Sequence, residues 1–292
     1  MSSLWTQIKY QLIIQLKIKL QDPFTLVISF IIAPLLGLLT ALIFHSNEDL
    51  VSNDSYSSFL FFMLVSSIFF GLVGSIFEII KDLPIVKRQK LGNISTFSYY
   101  ISKYIVLSLF GFIQVLLYIL VSMWIMGGMM NDYVYNFFIM YLLLLNSIAL
   151  GLWISSIVPS SFMAANLIPL IIVPQILLGG MIPYNSLDKS LFFGFDSAIP
   201  PAAKIVPIMY AYESSITGHI NFHKNDENVN DHIVELISYG EDDFLTIEQT
   251  EKFYCKDMDF CNKTWSYDIV MLLIYLLILQ LIGYFTLKRK LQ

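Results

Sequence analysis

The chain has 292 residues, of which 57% are hydrophobic and only 13% charged, with a formal net charge of −5. An ordinary soluble domain carries about 25% charged residues, so this deficit, with a mean hydropathy of +0.69, excludes a soluble globular fold. The net charge itself says little, because the two signs are segregated along the sequence.

In chain order, residues 2–22 predict an amphipathic helix. Trp5, Ile8, Leu12 and Leu16 recur at helical spacing, with Lys9, Gln11, Gln15, Lys17 and Lys19 largely off that stripe. Such a helix suits a membrane interface, its lysines turned to anionic headgroups. Asp22 and Pro23 supply an N-cap and a first-turn proline for the next helix. Six apolar runs follow, near 24–44, 57–79, 99–126, 135–157, 163–182 and 267–287. Each approaches the ~20 residues that cross the hydrocarbon. The first begins only at Phe24 and is too long for a removable signal peptide. The expected fold class is therefore all-α: six transmembrane helices preceded by an interfacial helix. It divides into the leading helix (1–22), spans one to five (23–182), an outer segment (183–266), and the sixth span with its basic tail (267–292).

Two joints are long. One, 78–103, reads EIIKDLPIVKRQKLGNISTFSYYISK and concentrates Lys81, Lys87, Arg88 and Lys90 behind Glu78 and Asp82. The other is 183–266. Its 190–212 part is fairly apolar but contains Asp196, Lys204, Pro200, Pro201 and Pro207. That composition predicts short re-entrant or interfacial helices instead of a seventh crossing. The N-terminal lysines, the 78–103 joint and the Lys288-Arg289-Lys290 tail share one side if six spans are present, and the positive-inside rule makes that side cytoplasmic. Both termini are then cytoplasmic and 183–266 lies outside. Cys255 and Cys261, close together in that oxidising setting, are candidates for a disulfide; two free thiols are the alternative.

The spans hold no mid-membrane ionisable residue, since Glu78, Lys103 and Asp268 all fall at span ends. An ion-coupled carrier or a channel with charged rings needs such groups. Gln114, Asn146, Asn166, Gln175 and Gln280 are the interior polar residues, and interhelical hydrogen bonding is their first reading. His219 and His223 stand four apart without an apparent third ligand, so no metal site is expected. The dipeptide Gly-Lys does not occur, which removes a phosphate-binding loop of the Walker type. No catalytic residue and no nucleic-acid partner is expected. A membrane body without internal coupling ions, carrying a basic loop, invites an external motor.

The 78–103 passage resembles the joint between the second and third spans of type-2 ATP-binding-cassette permeases, in particular the G-subfamily (white-like) exporters and their bacterial relatives. The resemblance rests on Glu78, the Lys87-Arg88 cluster, Ser95, Tyr99 and Ser102-Lys103, with Gln89 where the family often has a glutamate. A second match lies in span five, where Pro174-Gln175 and Gly179-Gly180 precede Met181-Ile182. The amphipathic start and the cysteine pair before span six fit as well. The resemblance implies that this passage is a coupling helix docking on a nucleotide-binding domain, with Glu78, Lys81, Asp82, Lys87, Arg88 and Lys90 as its contact residues. It implies that ATP and Mg are bound by that partner and not by this chain, the partner being either a separate subunit or part of a longer chain. It further implies a homodimeric exporter of a hydrophobic or amphipathic substrate, its path lined by Phe69, Phe70, Phe77, Gln175, Met181 and Ile182; ordinary packing is the competing role for those residues. The alternative function is a non-transporting membrane anchor or receptor that acts through its acidic outer segment.

Overall fold

The computed structural model describes residues 4–45, 56–91, 94–127, 130–181, 202–222 and 258–291, and every regular element among them is helical. In order these are α1 (Leu4–Leu20), α2 (Pro23–Phe44), α3 (Tyr56–Ser75), α4 (Glu78–Leu91), α5 (Thr96–Met126), α6 (Met130–Ile157) and α7 (Ser161–Leu178). A short 3-10 turn, Ala203–Ile205, leads into α8 (Pro207–Phe222), and α9 (Met258–Lys290) completes the set. Six helical stretches are long and apolar enough to cross a membrane, in the places the hydropathy pattern predicts. The pairing of Cys255 with Cys261 lies outside the described residues, as does Ile182.

The bundle is built on α3 and α6, which bury most of their surface, whereas α2, α7 and α9 leave most of theirs exposed. Small residues let α3 and α6 approach closely, as membrane helices require where lipid and side chain are equally apolar. A Cβ at Gly71 would stand 2.6 Å from the Ser147 Cβ and 2.8 Å from the Leu144 carbonyl oxygen. The Ser67 hydroxyl bridges the same seam by donating to the Met140 carbonyl at 2.6 Å. On the far side of α5, Gln114 donates to the Ser29 hydroxyl of α2 at 2.7 Å, and Thr40 pairs with the Tyr118 hydroxyl at 2.6 Å. Asn146 of α6 donates to the Leu272 carbonyl of α9 at 3.2 Å. Gln114 and Asn146 thus hold helices together, as expected of interior amides.

Two elements differ from expectation. In α1 the apolar stripe does not divide buried from exposed: Trp5 is 81% exposed, and the buried side chains are Gln11 and Gln15. The helix lies against α5 through polar contacts, so its glutamines turn inward. The second difference is α8. The sequence suggests apolar helices ending near 212, yet one helix runs from Pro207 to Phe222 and buries Ser214, Ser215 and Thr217 beside Met209, Tyr210 and Tyr212. Thr217 bonds back to the Glu213 carbonyl within α8, whereas Ser214 finds its partner in a neighbouring helix. The Tyr135 hydroxyl pairs with that of Ser214 at 2.6 Å.

Candidate functional site: a charged joint of three helices

The charges of the 78–103 passage are sorted by the helix it forms. The chain leaves α3 at Ser75 and restarts at Glu78, where the first-turn amides of α4 would lack partners. The Ser155 hydroxyl of α6 takes both, accepting from Ile79 at 3.0 Å and from Ile80 at 3.2 Å. Glu78 in the first turn and Arg88 and Lys90 in the last complement the helix dipole. Pro84 lies inside α4 on its exposed side.

Glu78 and Asp82, one turn apart, face inward. Glu78 bridges Lys19 of α1 at 2.6 Å and Lys103 of α5 at 2.7 Å. Lys103 also meets Asp82 at 2.7 Å and donates to Gln15 of α1 at 3.0 Å. An ammonium has three donors, and here each has an acceptor, so a lysine whose side chain is only 5% exposed is fully satisfied. The Tyr99 hydroxyl adds a bond to Asp82 at 3.1 Å. Two carboxylates and two ammonium groups cancel, which is the condition for burying charge. Further contacts stitch α1 to the same place: Gln11 donates to Gln89 at 3.2 Å, and the Ser95 amide donates to Gln7 at 3.1 Å.

The opposite face of α4 carries Lys81, Pro84, Ile85, Lys87 and Arg88, all exposed. Ile85 is an apolar residue 51% exposed among cations, and Lys81 sits 5.9 Å from the Phe77 ring centroid. Lys90 turns toward the end of α9, donating to the Leu291 carbonyl at 2.6 Å. The residues named as one contact set therefore separate into an inner pair (Glu78, Asp82), an outer group (Lys81, Lys87, Arg88) and a side contact (Lys90). Lys19, Gln15 and Ser155 complete the joint and are not legible as its members from sequence spacing. For Lys19 a signal exists: opposite charges at span ends on one membrane side.

Of the residues named for a substrate path, Phe69 and Phe70 lie on α3, Phe77 between α3 and α4, Gln175 on α7 and Met181 just past its end. Phe70 is buried, with its ring centroid 6.3 Å from that of Tyr118, while Phe69 is 36% exposed. Phe77 lies beside Lys81 near the start of α4. Gln175 is buried and Met181 is 36% exposed, both at the far end of α7. Among the described residues no cluster of three or more His, Cys, Asp or Glu is arranged to hold a metal.

A multi-pass helical membrane protein with a basic, outward-facing helix tied to its core is the class this geometry defines. The model of the ABC-2 type transporter membrane family matches residues 6–218, and the chain belongs to that family: it is a permease component of an ABC transporter, a kind of protein that works with a nucleotide-binding partner. No curated protein matches it.

Proposed function

We propose that α4 is the coupling element of an ATP-driven exporter that acts as a homodimer and moves a hydrophobic or amphipathic substrate. The carrying observation is the division of α4 into an outer cationic face with Ile85 at its centre and an inner face ion-paired to α1 and α5. A nucleotide-binding domain, holding ATP and Mg, would seat on the outer face. Movement of α4 would then pass through Glu78 and Asp82 into Lys103 and along α5. This reading places the basic end of the bundle in the cytoplasm, as the positive-inside rule requires, and it agrees with the resemblance to white-like exporters.

The exposed side of α7 supports a second copy as neighbour. Ala165, Asn166, Pro169, Leu170 and Val173 share it. An exposed amide in hydrocarbon seeks a partner, and small residues favour helix contact. Two such faces would enclose an apolar cavity with Phe69 near its wall.

The test is purification of the chain from its native membrane, with identification of its companions and an ATPase assay. A stoichiometric nucleotide-binding partner, lost in Lys87→Glu/Arg88→Glu while the fold and topology persist, is the expected result. Retention of the partner by that variant would remove α4 from the coupling role. Recovery of the chain without any ATPase would favour the anchor.

A further inference from the structure

The geometry points to a binding site for the headgroup of an anionic phospholipid at the corner where α4 meets the ends of α6 and α9, with the acyl chains lying along α9. This inference shares Lys87 with the proposed ATPase face of α4 but is tested through Lys288, Arg289 and Lys290, which take no part in that coupling.

Three observations converge there. First, among the described residues the corner gathers cations without carboxylates. Lys90 donates to the Leu291 carbonyl at 2.6 Å, and Lys290 donates to the Val158 carbonyl at 3.1 Å. Burial, and after it the charge of Lys87, holds the Lys290 ammonium below its ordinary range. Among the described residues the ion pairs involve only Lys19, Lys103 and His219 on the basic side, so Lys87, Lys90, Lys288, Arg289 and Lys290 have no anionic partner. Second, the exposed face of α9 is one continuous apolar stripe ending at this corner. It runs through Val270, Ile274, Leu277, Leu281 and Phe285, then reaches the exposed Lys288 and Arg289 one turn beyond. A phospholipid has the same order of parts: apolar chains, then an anionic phosphate. Third, that stripe contains no Gly, Ala, Ser, Thr or amide among its exposed residues. Helix pairing in membranes draws on small and polar residues, so the face suits lipid chains better than a second copy, in contrast to α7. Basic pockets at helix ends are suited to acidic headgroups.

The site is tested on the full chain, together with whatever subunit co-purifies, in mixed micelles of phosphatidylcholine with increasing phosphatidylglycerol. Retained lipid is read by native mass spectrometry and stability by the thermal midpoint. Wild type should retain phosphatidylglycerol over phosphatidylcholine and gain stability from it. Each juxtamembrane cation strengthens such attraction about fivefold. Lys288→Gln/Arg289→Gln/Lys290→Gln should therefore weaken retention by about two orders of magnitude. Lys288→Arg/Lys290→Arg, which keeps the charge, should bind as wild type does; loss in both variants would overturn the charge-based site. Equal stabilisation by inorganic phosphate alone would show a free-anion site and defeat the lipid assignment. If the triple Gln variant keeps its phosphatidylglycerol but sheds a protein subunit, the corner is a protein-docking surface and the inference fails.

Discussion

The two ends of the bundle treat buried charge in opposite ways. At the basic end Glu78 and Asp82 are each held by an ammonium group within 2.7 Å, and the lysine between them has no donor to spare. At the other end α8 meets α3, α6 and α9 around carboxyls that have far less compensation. Asp132 has His219 at 3.3 Å. Asp268 is 1% exposed. Burial pushes the Glu213 carboxyl up to about 7. The basic end is electrostatically closed, whereas at the far end burial favours the protonated form of Glu213.

The largest break in this contrast should come from Lys103→Met. It would leave Glu78 and Asp82 buried with only Lys19 to answer them, at a cost of about 3–5 kcal/mol. The expected outcome is a large drop in thermal midpoint or failure to accumulate. Adding Glu78→Gln and Asp82→Asn should restore most of the loss; if it does not, the cost lies in packing and not in charge.

Next in size is Gly71→Val, which pushes side-chain atoms into the Leu144 carbonyl and Ser147. Overpacking of this kind costs about 1–3 kcal/mol, read as reduced stability at every pH. Because Gly71 belongs to the core shared by both ends, its effect should be indifferent to proton concentration. A pH-dependent loss would mean that the seam and the charged ends are coupled.

A smaller effect, but one specific to the far end, is expected from Glu213→Gln. A carboxyl whose pKa is raised in the folded chain binds its proton more tightly there than when unfolded. Its contribution is therefore most favourable below the ordinary value of 4.5 and is lost as pH rises through about 7. The stability of wild type minus that of Glu213→Gln, measured across this window, should fall by an amount worth a few degrees in thermal midpoint. A flat difference would show that Glu213 is not desolvated by α8 packing. The smallest change is Tyr135→Phe, which removes the hydroxyl pair with Ser214 and should cost about 1 kcal/mol.

Hydropathy made the six spans legible, because length and lack of charge identify a crossing without reference to any neighbour. The basic passage after α3 also stood out, and so did the amides Gln114 and Asn146 as interhelical contacts. The sorting of Glu78 and Asp82 inward from Lys81, Lys87 and Arg88 was hidden. It depends on the phase of α4, which Ser155, distant in sequence, helps to fix. The burial of Gln11 and Gln15 in α1 was hidden for a related reason: their partners, Gln89 and Lys103, belong to other helices. Glu213 escaped notice because α8 looks like a polar exit from an apolar stretch until Asp268 is brought against it.

The two amides gathered by the Ser155 hydroxyl give α4 a fulcrum on a helix that is not its neighbour in sequence. A rod continuous with α3 would carry any tilt straight into that helix, which is the most deeply seated of the bundle. The two-residue break at 76–77 and the bearing on α6 set α4 apart from α3 as an element of its own. Under the coupling reading proposed above, a push on α4 would bear on Ser155 of α6 and reach α5 through Lys103.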